Sequence, residues 1–356
     1  MEEEPLIPAI KPPQKIRGRG SAYNPKNRFE KLDYVIEETD EAAPQRTQLL
    51  RDASRSIITR NSSPDVGFEF SLNPYRGCEH GCAYCFARPT HEYLGFSAGL
   101  DFETKIVVKE NAPELLRAEL TSPRWKPQIL AMSGVTDCYQ PIERQLQITR
   151  RCAEVLAEFR NPVIVITKNH LVTRDIDHYR ELAAHNAVVV TISLTTLDAQ
   201  LARTLEPRAS PPSRRLAAIA ELNDAGIPVR VLMAPCIPGL TDHEMPELFA
   251  AAAKAGAQGA GFVPLRLPWA VAPIFENWLE LNAPGQKDKV LGRIREMRGG
   301  KLNDPRFGSR MRGEGFFADQ MRAMFKVAWR RAGFKSDGLE LSTASFRPPI
   351  AQLSLF

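Results

Sequence analysis

Six short apolar runs, separated by longer amphipathic stretches, constrain the fold of this chain more than any other feature. The runs are FEFSLN (68–73), QILAMS (128–133), VIVITK (163–168), VVVTISL (188–194), VRVLMAP (229–235) and GAGFVPL (259–265). They are too short for buried helices and rich in β-branched residues, so they are predicted to be strands. Strands that alternate with helices indicate an α/β fold with a parallel sheet and right-handed crossovers.

The stretches between the runs have helical patterns, including residues 143–159 and residues 212–226. The second begins at Pro212-Ser213 and stops at Gly226, as a helix should. This pattern does not distinguish an open sheet from a barrel. In either architecture, the chemistry is expected at the carboxyl ends of the strands.

Size and terminal composition limit where the protein can work. The chain has 356 residues, of which 43% are hydrophobic, and this is enough for one large core with appendages. No run of about 18 apolar residues occurs, so no membrane span is expected. The acidic start MEEEP lacks the apolar core of a secretory signal. A cytoplasmic, reducing location is expected, where clustered cysteines bind metal or do chemistry more often than they form disulfides.

Composition divides the chain into four parts. Residues 1–60 are rich in proline and are predicted to form a largely irregular N-terminal extension. Residues 61–285 contain the predicted α/β core. Residues 286–350 are predicted to be a basic, partly helical C-terminal region, and residues 351–356 a terminal peptide motif.

The positive charge is concentrated near the C-terminus. Residues 287–335 contain fourteen Lys and Arg against five Asp and Glu, a local net charge of +9 in a chain of +5. This imbalance favours a polyanionic partner such as DNA or RNA. A solvated surface helix with salt-bridged arginines is the alternative interpretation.

Aromatic and apolar residues in the same region also have two interpretations. Aromatic side chains placed among the arginines are candidates for stacking on exposed bases: Phe307, Phe316, Phe317 and Trp329. Apolar residues at helical spacing are instead expected to pack against the core: Met321, Met324, Phe325 and Ala328.

Three of the six cysteines stand together in CEHGCAYC, directly after the first predicted strand. Thiolates suit zinc or iron–sulfur clusters. Structural zinc usually takes four ligands in pairs, but the remaining cysteines are scattered. Cubane clusters usually have four protein thiolates, so three would leave one iron open to a substrate or cofactor. The predicted metal ligands are Cys78, Cys82 and Cys85.

The spacing CxxxCxΦC, with Tyr84 at the aromatic position, resembles the signature of the radical S-adenosylmethionine (SAM) superfamily. The resemblance extends over about residues 65–268 and implies a partial (β/α)6 TIM-type barrel. It also implies a [4Fe–4S] cluster on the three cysteines, with SAM bound at its open iron beside Tyr84. The cluster would cleave SAM to methionine and a 5′-deoxyadenosyl radical, which abstracts hydrogen from a substrate. An electron donor such as flavodoxin or ferredoxin is implied as well.

The segment MSGVTDCYQPIE (132–143) stands where the superfamily places the glycine-rich segment that grips the amino group of SAM. The resemblance therefore assigns four residues of this segment to SAM: Ser133, Gly134, Thr136 and Asp137. Asp137 is expected to accept hydrogen bonds from the ammonium. The usual paired glycines of the family are reduced here to Gly134 alone.

Polar residues also end the third and fourth predicted strands. By the same resemblance, Ser193 and Thr195 stand where side chains meet the ribose or carboxylate of SAM, and Lys168 is a further candidate. The segment LEPRASPPSRR adds Glu206 and Arg208, with Arg208 expected to bind the carboxylate. Simple solvation is the alternative for each, but polar residues recur at three neighbouring strand ends.

The segment NPYRGCEHGCAYCFARPTHEYLG resembles the corresponding segment of the branch that contains spore photoproduct lyase. This branch is also called DNA repair photolyase-like. Enzymes of that kind open a thymine dimer, and a cysteine before a Thr-Ser-Asp-like tripeptide returns hydrogen to the product. Here Gly134 precedes the matching Val135-Thr136-Asp137, so the thiol is missing from its expected place. Cys138 is the candidate for a relocated hydrogen donor. The alternative is a buried small hydrophobe, the commoner role of free cysteine.

The chain ends in RPPIAQLSLF, and Gln352-Leu353-Ser354-Leu355-Phe356 resembles the sliding-clamp-binding pentapeptide of bacteria. In that mode, apolar anchors on an extended tail enter pockets of the clamp. A tail folded back on its own core is the alternative.

Three functions are compatible with these features. The first is a radical SAM enzyme acting on nucleic acid, and the second is the same chemistry on a protein or small molecule. The third is a non-enzymatic zinc-binding interaction protein. The substrate, the fate of SAM and the oligomeric state are not evident from the sequence.

Overall fold

The computed structural model describes residues 15–30, 46–335 and 340–348. The strands within these residues are β1 Gln48–Arg51, β2 Ile58–Arg60, β3 Phe70–Leu72, β4 Tyr75–Arg76, β5 Lys105–Val108, β6 Leu130–Met132, β7 Val163–Thr167, β8 Val188–Ser193, β9 Val229–Cys236 and β10 Gly259–Pro264. The α-helices are α1 Leu100–Thr104, α2 Ala112–Thr121, α3 Glu143–Leu146, α4 Ile148–Phe159, α5 Ile176–Ala183, α6 Ala199–Leu205, α7 Pro212–Asp224, α8 Met245–Lys254, α9 Val271–Asn282, α10 Lys287–Met297, α11 Ser309–Arg312 and α12 Phe316–Arg331.

All six predicted strands form one sheet, in the order β10-β9-β8-β7-β6-β3, and β2 adds an antiparallel strand at the β3 edge. The other neighbours in this sheet are parallel. Residues such as Val188, Val190 and Ile192 of β8 are fully buried, because helices cover this sheet. The predicted α/β fold with a parallel sheet is therefore confirmed. The edge strands β2 and β10 do not pair with each other, so the sheet remains open.

Four short strands were missed by the sequence prediction. Strands β1, β4 and β5 form a small separate sheet in the order β1-β5-β4, and β2 is the fourth. They have two to four residues each and mixed polarity, so they give little periodic signal. Two of them, β1 and β2, lie inside the predicted N-terminal extension, and the division into domains remains a prediction.

The predicted helix over 143–159 is interrupted. Gln147 has a φ of 52° and separates α3 from α4. The buried carboxylate of Glu143 accepts hydrogen bonds from the backbone N–H groups of Thr149 and Arg150, at 2.9 and 3.3 Å. Because these are free donors at the start of α4, Glu143 stabilises a new helix start there. The predicted helix over 212–226 is confirmed as α7, which ends before Gly226.

A segment after α10 connects the two open edges of the large sheet. Arg310 pairs with Asp65, which follows β2, and the backbone N–H of Gly308 donates to the same carboxylate at 2.6 Å. On the other side, Arg298 donates to the backbone carbonyl of Leu265, just after β10, at 3.0 Å. Polar contacts thus hold the side of the barrel that has no strand pairing.

The last described segment, residues 340–348, lies at the amino ends of the strands. Ser342 and Arg347 donate backbone hydrogen bonds to the carbonyls of Asn186 and Phe159, both at 2.9 Å. Asn186 and Phe159 precede β8 and β7, so this segment is on the face opposite the cysteine loop. The predicted peptide motif 351–356 lies outside the described residues. None of the helices in the described part of the chain has the length and apolarity needed to cross a membrane.

Candidate cofactor site at the carboxyl ends of the strands

The three clustered cysteines lie on a loop whose backbone is held by the rest of the protein. The N–H of Cys78 donates to the carbonyl of Phe102 at 2.9 Å, and the N–H of Ala83 donates to the carbonyl of Leu205 at 3.0 Å. Between them, the N–H of Glu79 donates to the side chain of Gln140 at 2.9 Å. The loop therefore has a fixed shape that depends on three separate parts of the chain.

A fully buried ion pair supports this loop from below. Arg88 pairs with Glu103 at 2.6 Å, and neither side chain is exposed. Arg88 also donates two hydrogen bonds to the carbonyl of Cys82, at 2.8 and 3.0 Å, and two more to other carbonyls. All five of its N–H donors are thereby used, which is the condition for burying an arginine cheaply.

Residues 15–30, which we call the N-terminal strap, cover the outer side of the same loop. The N–H groups of Gly20 and Ser21 donate to Glu103 at 3.1 and 2.8 Å. A Cβ atom on Gly20 would lie 1.7 Å from the carbonyl oxygen of Gly81, so only glycine fits this crossing. Gly81 itself has a φ of 64°, which also favours glycine. The strap and the loop are packed backbone against backbone.

The three thiols lie close enough together for Cys82 and Cys85 to influence the pKa of Cys78. Cys78 and Cys82 are buried and Cys85 is half-buried. Burial raises the pKa of all three thiols, and their mutual proximity raises the pKa of Cys78 further. Such thiols become thiolates readily only when a metal binds them. Within the ranges that the structure covers, no three His, Cys, Asp or Glu residues converge on a single-ion site.

A buried polar network lies beside the loop at the end of β8. Tyr84 donates to the carboxylate of Glu206, which also pairs with Arg215. Thr195 donates to Glu206 at 2.9 Å and lies 3.2 Å from the hydroxyl of Tyr84. Arg215 donates in addition to the carbonyl of Ser193 at 3.0 Å. The structure thus joins the predicted residues Tyr84, Ser193 and Thr195 through Glu206 and Arg215.

Charge within this network is fixed near neutral pH. Burial raises the pKa of Glu206, but Arg215, Lys168 and the hydrogen bond from Tyr84 outweigh it and bring the pKa to about 2. Burial raises the pKa of Tyr84, and the neighbouring Cys82 and Glu206 raise it further. The network therefore contains an ionised carboxylate and a protonated phenol.

Lys168 reaches the same region from the end of β7. Its ammonium group lies 5.8 Å from the ring centre of Tyr84 and donates to the carbonyl of Ala234 at 3.3 Å. It is close enough to influence the pKa of Cys82, Cys85 and Glu206. The structure therefore places this predicted residue between the thiols and the polar network.

The segment after β6, predicted to bind SAM, makes hydrogen bonds to β4 and to the end of β7. Asp137 accepts hydrogen bonds from the Thr167 hydroxyl and the Lys168 N–H, both at 2.8 Å, and lies 3.3 Å from His80 in the cysteine loop. Thr136 donates to the carbonyl of Tyr75 at 2.7 Å. Asp137 thus connects the end of β7 to the loop, and its contact with SAM stays a prediction.

Ser133 and Gly134 form the turn that begins this segment. Ser133 has a φ of 73°, an unusual conformation for a residue with a side chain, and its hydroxyl accepts the N–H of Cys138 at 2.8 Å. A Cβ atom on Gly134 would lie 3.1 Å from Cβ of Ser71. Close packing against β3 therefore explains why a small residue is needed at 134.

Arg208 lies on the outer side of the cysteine loop. It pairs with Glu79 at 3.1 Å, and its backbone N–H donates to the carbonyl of His80 at 3.3 Å. Its guanidinium is one-third exposed. These contacts support the loop, and binding of a carboxylate by Arg208 remains a prediction.

Cys138 lies in the main hydrophobic core and is fully buried. Its neighbours in that core include Tyr139, Ile148 and Cys152. Burial raises the pKa of its thiol, and Asp137 raises it further. This environment favours the packing role for Cys138. The role of Cys138 as a hydrogen donor stays a prediction.

An open basic cavity of about 390 Å³ lies near the rim of the barrel. Asn169 is shared between the cavity and the site, since its amide lies 3.3 Å from the ring of His80. The charged and ring side chains lining the cavity are Arg144, His170, Arg174 and Arg214. Through Asn169, this cavity lies close to the cysteine loop.

The basic C-terminal region contains both paired and exposed cations. Of the fourteen cations in residues 287–335, six are engaged with acidic side chains or carbonyls: Lys287, Arg293, Arg298, Arg306, Arg310 and Arg322. The others are exposed and have no ion pair within the described ranges: Lys289, Arg295, Lys301, Arg312, Lys326, Arg330, Arg331 and Lys335. The predicted packing residues Met321, Met324, Phe325 and Ala328 do pack against the core. Phe317 and Trp329 pack there as well, whereas Phe307 and Phe316 are exposed.

Sequence reasoning missed Arg88, Glu103 and Arg215. Arg215 sits in the run PSRRLAAIAEL, where its position resembles that of any surface arginine in a helix. Arg88 follows Phe86-Ala87 just after the cysteine motif, and its proximity to that motif was the available signal. Both contacts are made across short loops, since Arg88 reaches Glu103 over 15 residues and Arg215 reaches Glu206 over 9, and neither spacing is a helical or strand repeat that a sequence pattern would reveal.

Comparison with other proteins agrees with this geometry. A family model described as the radical SAM superfamily matches residues 72–252. An uncharacterised protein of Mycobacterium tuberculosis is 38% identical over 65% of this chain and 67% of its own length. An uncharacterised protein of Methanocaldococcus jannaschii is 28% identical over 52% of this chain and 66% of its own length.

Two solved structures of spore photoproduct lyase are similar in fold. One is a variant with a TM-score of 0.56 and 16% identity, covering 80% of this chain and 78% of that chain. The other, complexed with dinucleoside spore photoproduct, has a TM-score of 0.55, 16% identity and the same coverage. The predicted partial (β/α)6 TIM-type barrel is confirmed.

Proposed function

We propose, from the premise that this chain belongs to the radical SAM superfamily, that its substrate is a nucleic acid carrying a damaged or modified base. The protein is a radical SAM enzyme, and its cofactors are a [4Fe–4S] cluster and SAM. The cluster supplies the electron that splits SAM into methionine and a 5′-deoxyadenosyl radical. The observation that carries the proposal is the loop of Cys78, Cys82 and Cys85 at the carboxyl ends of the strands, in a fold shared with spore photoproduct lyase.

The residues around the loop are proposed to have distinct roles. Cys78, Cys82 and Cys85 bind the cluster as thiolates. Lys168 is proposed to bind the carboxylate of SAM, since its ammonium lies between the thiols and the Tyr84 network. It is preferred over Arg208, because the guanidinium of Arg208 already pairs with Glu79.

The Tyr84 network is proposed to hold SAM in place and to exclude water. Glu206 is ionised and is held in place by Arg215. Its charge therefore stays constant near neutral pH, and it orients the hydroxyl of Thr195. Ser193 and Thr195 are proposed to face the ribose or carboxylate of SAM. The Ser133 turn, with Gly134, Thr136 and Asp137, is proposed to lie against its amino end.

Two features support nucleic acid as the substrate class. Eight cations in residues 287–335 are exposed and have no ion pair within the described ranges. Arg144 and Arg214 add positive charge at the cavity beside Asn169, whereas Arg174 of that cavity is already paired with Glu143 and Asp175. Cations of this kind bind phosphates without reading sequence. The match to spore photoproduct lyase contributes the fold alone, because the identity is 16%.

The cofactor assignment is tested by anaerobic reconstitution. We expect wild type to bind iron and sulfide, to give the electron paramagnetic resonance signal of a reduced cubane, and to release 5′-deoxyadenosine from SAM. Cys82→Ala should lose all three properties, whereas Cys152→Ala, which removes a thiol from the main core, should keep them. Equal iron content in both variants would contradict the assignment.

The substrate class is tested by the same assay with competing substrates. Release of 5′-deoxyadenosine is expected to rise with irradiated DNA or modified RNA, and not with a random peptide mixture. Stimulation by peptides or small molecules alone would instead place the activity on another class of substrate. Mass spectrometry of the nucleic acid then identifies the altered base.

Partners are proposed on similar grounds. Flavodoxin or ferredoxin is the proposed electron donor, and a reducing cytoplasm is the proposed location, since buried thiols must stay available for iron. A sliding clamp is the proposed partner of Gln352–Phe356. Deleting residues 352–356 is expected to abolish clamp binding in a pull-down and to leave SAM cleavage unchanged. Loss of folding in that truncated chain would favour a tail that packs on its own core.

A further inference from the structure

Three aromatic side chains that are close together in space are left exposed beside the cysteine loop. Tyr93 is 71% exposed, Trp269 is 60% exposed and Phe29 is 54% exposed. Phe29 and Tyr93 stack with their ring centres 4.9 Å apart. Large apolar groups grouped on a surface in this way commonly mark a binding site.

Arg28 joins the three rings into one surface. Its guanidinium lies 4.3 Å from the ring centre of Trp269 and 5.0 Å from that of Phe29. Arg28 is held in place by Glu92, whose fully buried carboxylate accepts a hydrogen bond from the Nε of Arg28 at 2.7 Å. We call Arg28, Phe29, Tyr93 and Trp269 the aromatic platform.

The backbone around Trp269 keeps this side chain pointing outward. Trp269 has a φ of 47°, in the left-handed region that residues with side chains rarely adopt. The turn is fixed by hydrogen bonds from the N–H of Val271 to the carbonyl of Pro268, and from the N–H of Ala272 to the carbonyl of Trp269. Such strain persists where the surrounding structure enforces it, commonly at ligand sites.

The platform is next to the cofactor site. Trp269 follows β10, at the carboxyl end of the sheet, and Leu267 packs in one cluster with Cys82 and Tyr84. Tyr93 belongs to the short 3-10 helix Arg88–Leu94, whose first residue binds the carbonyl of Cys82. A ligand resting on the platform therefore lies beside the mouth of the barrel.

The N-terminal strap, which contributes Arg28 and Phe29 to the platform, is rich in cations. The N-terminal strap has five Lys or Arg and one acidic residue, Glu30. Glu92 is buried and already paired with Arg28. The exposed groups of the platform are three flat aromatic faces and a guanidinium, with no branched aliphatic side chain among them.

From these features, and building on the proposed nucleic acid substrate, we infer that the platform binds unpaired bases of the substrate strand. Every base has a π-face, so rings and an arginine plane bind bases of any sequence by stacking. The cations of the strap suit the phosphates between those bases. The platform thus selects single-stranded or locally opened nucleic acid and places it next to the cysteine loop.

Fluorescence anisotropy with a labelled oligonucleotide tests this inference on the reconstituted full chain. Single-stranded DNA, single-stranded RNA and duplex DNA of the same sequence are compared at fixed salt. Trp269→Ala and Tyr93→Ala are each expected to weaken single-strand binding about 5- to 100-fold, the range for loss of one stacked base. Trp269→Phe keeps a flat ring and should restore most of the affinity.

Leu49→Ala is the control, because Leu49 is a large apolar side chain that is 46% exposed on β1 and belongs neither to the platform nor to the basic C-terminal region. It should bind like wild type, and all variants should retain wild-type iron content. If wild type binds oligonucleotides and the platform variants bind equally well, the platform inference is wrong while the proposed function stands. If wild type binds none of the oligonucleotides, the nucleic acid substrate class itself is wrong, and a protein partner becomes the better occupant.

Discussion

Arginine has opposite roles in the cysteine-loop region and in helix α12. Arg88 and Arg215 are almost fully buried, and both donate to a carboxylate and to backbone carbonyls. Arg330 and Arg331 are exposed at the end of α12 and have no ion pair within the described ranges. The first pair fixes the shape of a site, whereas the second pair contributes mainly charge. A count of basic residues cannot separate these roles, because they depend on burial.

The largest expected effect comes from breaking a buried pair. Arg88→Met removes the partner of Glu103 and five hydrogen bonds, so the free energy of unfolding at pH 7 should fall by about 3–5 kcal/mol. Arg330→Met should change it by less than about 0.5 kcal/mol. Urea unfolding of both variants measures the difference. A similar fall in the free energy of unfolding for both variants would show that burial does not determine how much these arginines contribute to stability.

The next effect concerns a buried histidine of the same region. Burial lowers the pKa of His91 to about 4, against about 6.5 in an unfolded chain. Between these values the unfolded chain binds the additional proton, so the free energy of unfolding should fall as pH drops from 6.5 to 4. The loss is ~3 kcal/mol and is absent above pH 6.5.

His91→Phe should remove this part of the pH dependence, and the exposed His243→Phe should leave it intact. Unfolding in urea at several pH values between 4 and 7 measures it. A pH dependence unchanged in His91→Phe would mean that another group carries the proton.

A smaller effect is expected where the strap crosses the cysteine loop. Gly20→Ala places a Cβ atom 1.7 Å from the carbonyl oxygen of Gly81, and overpacking of this kind costs about 1–3 kcal/mol. The strap should then be cut faster by protease, and the loop should bind less iron. Gly67→Ala is the control, since Gly67 has no atom within 4 Å of the added Cβ. Equal proteolysis of the two variants would indicate that the strap is not packed on the loop.

The smallest effect on stability is expected on α12. Replacing Lys326, Arg330 and Arg331 by Gln should change the free energy of unfolding by less than about 0.5 kcal/mol per site. The slope of log K against log salt for binding of a single-stranded oligonucleotide should fall by about 0.7 for each phosphate contact removed. Arg124→Gln with Lys126→Gln, two exposed cations just before β6, is the control, and the change in slope is compared per cation removed. A slope that falls equally in both sets would assign the effect to net charge alone.

The main strands could be predicted because burial on both faces selects continuous runs of β-branched residues, as in β8. The cysteine loop could be predicted because its ligands are local in sequence. Strands such as β1 and β4 could not, because they are short and depend on pairing with β5.

Side-chain partners across the site were harder to predict than its location. Glu206 was identified beside Arg208, but its buried partner is Arg215, one turn into α7. Arg214 and Arg215 are adjacent and chemically identical, yet Arg214 faces the basic cavity and Arg215 the interior. Only the packing angle of α7 on the sheet distinguishes them. The strap has neither helix nor strand in its described residues 15–30, and its contact with Glu103 spans more than 80 residues of sequence.

The crossing of Gly20 over Gly81 has a consequence for how the metal centre is built. One side of the loop is closed by backbone, with no space for even a methyl group. Iron and sulfide delivered to the folded chain therefore cannot enter on that side. If they enter from the mouth of the barrel, where SAM is proposed to bind, excess SAM should slow cluster insertion into the apo-protein.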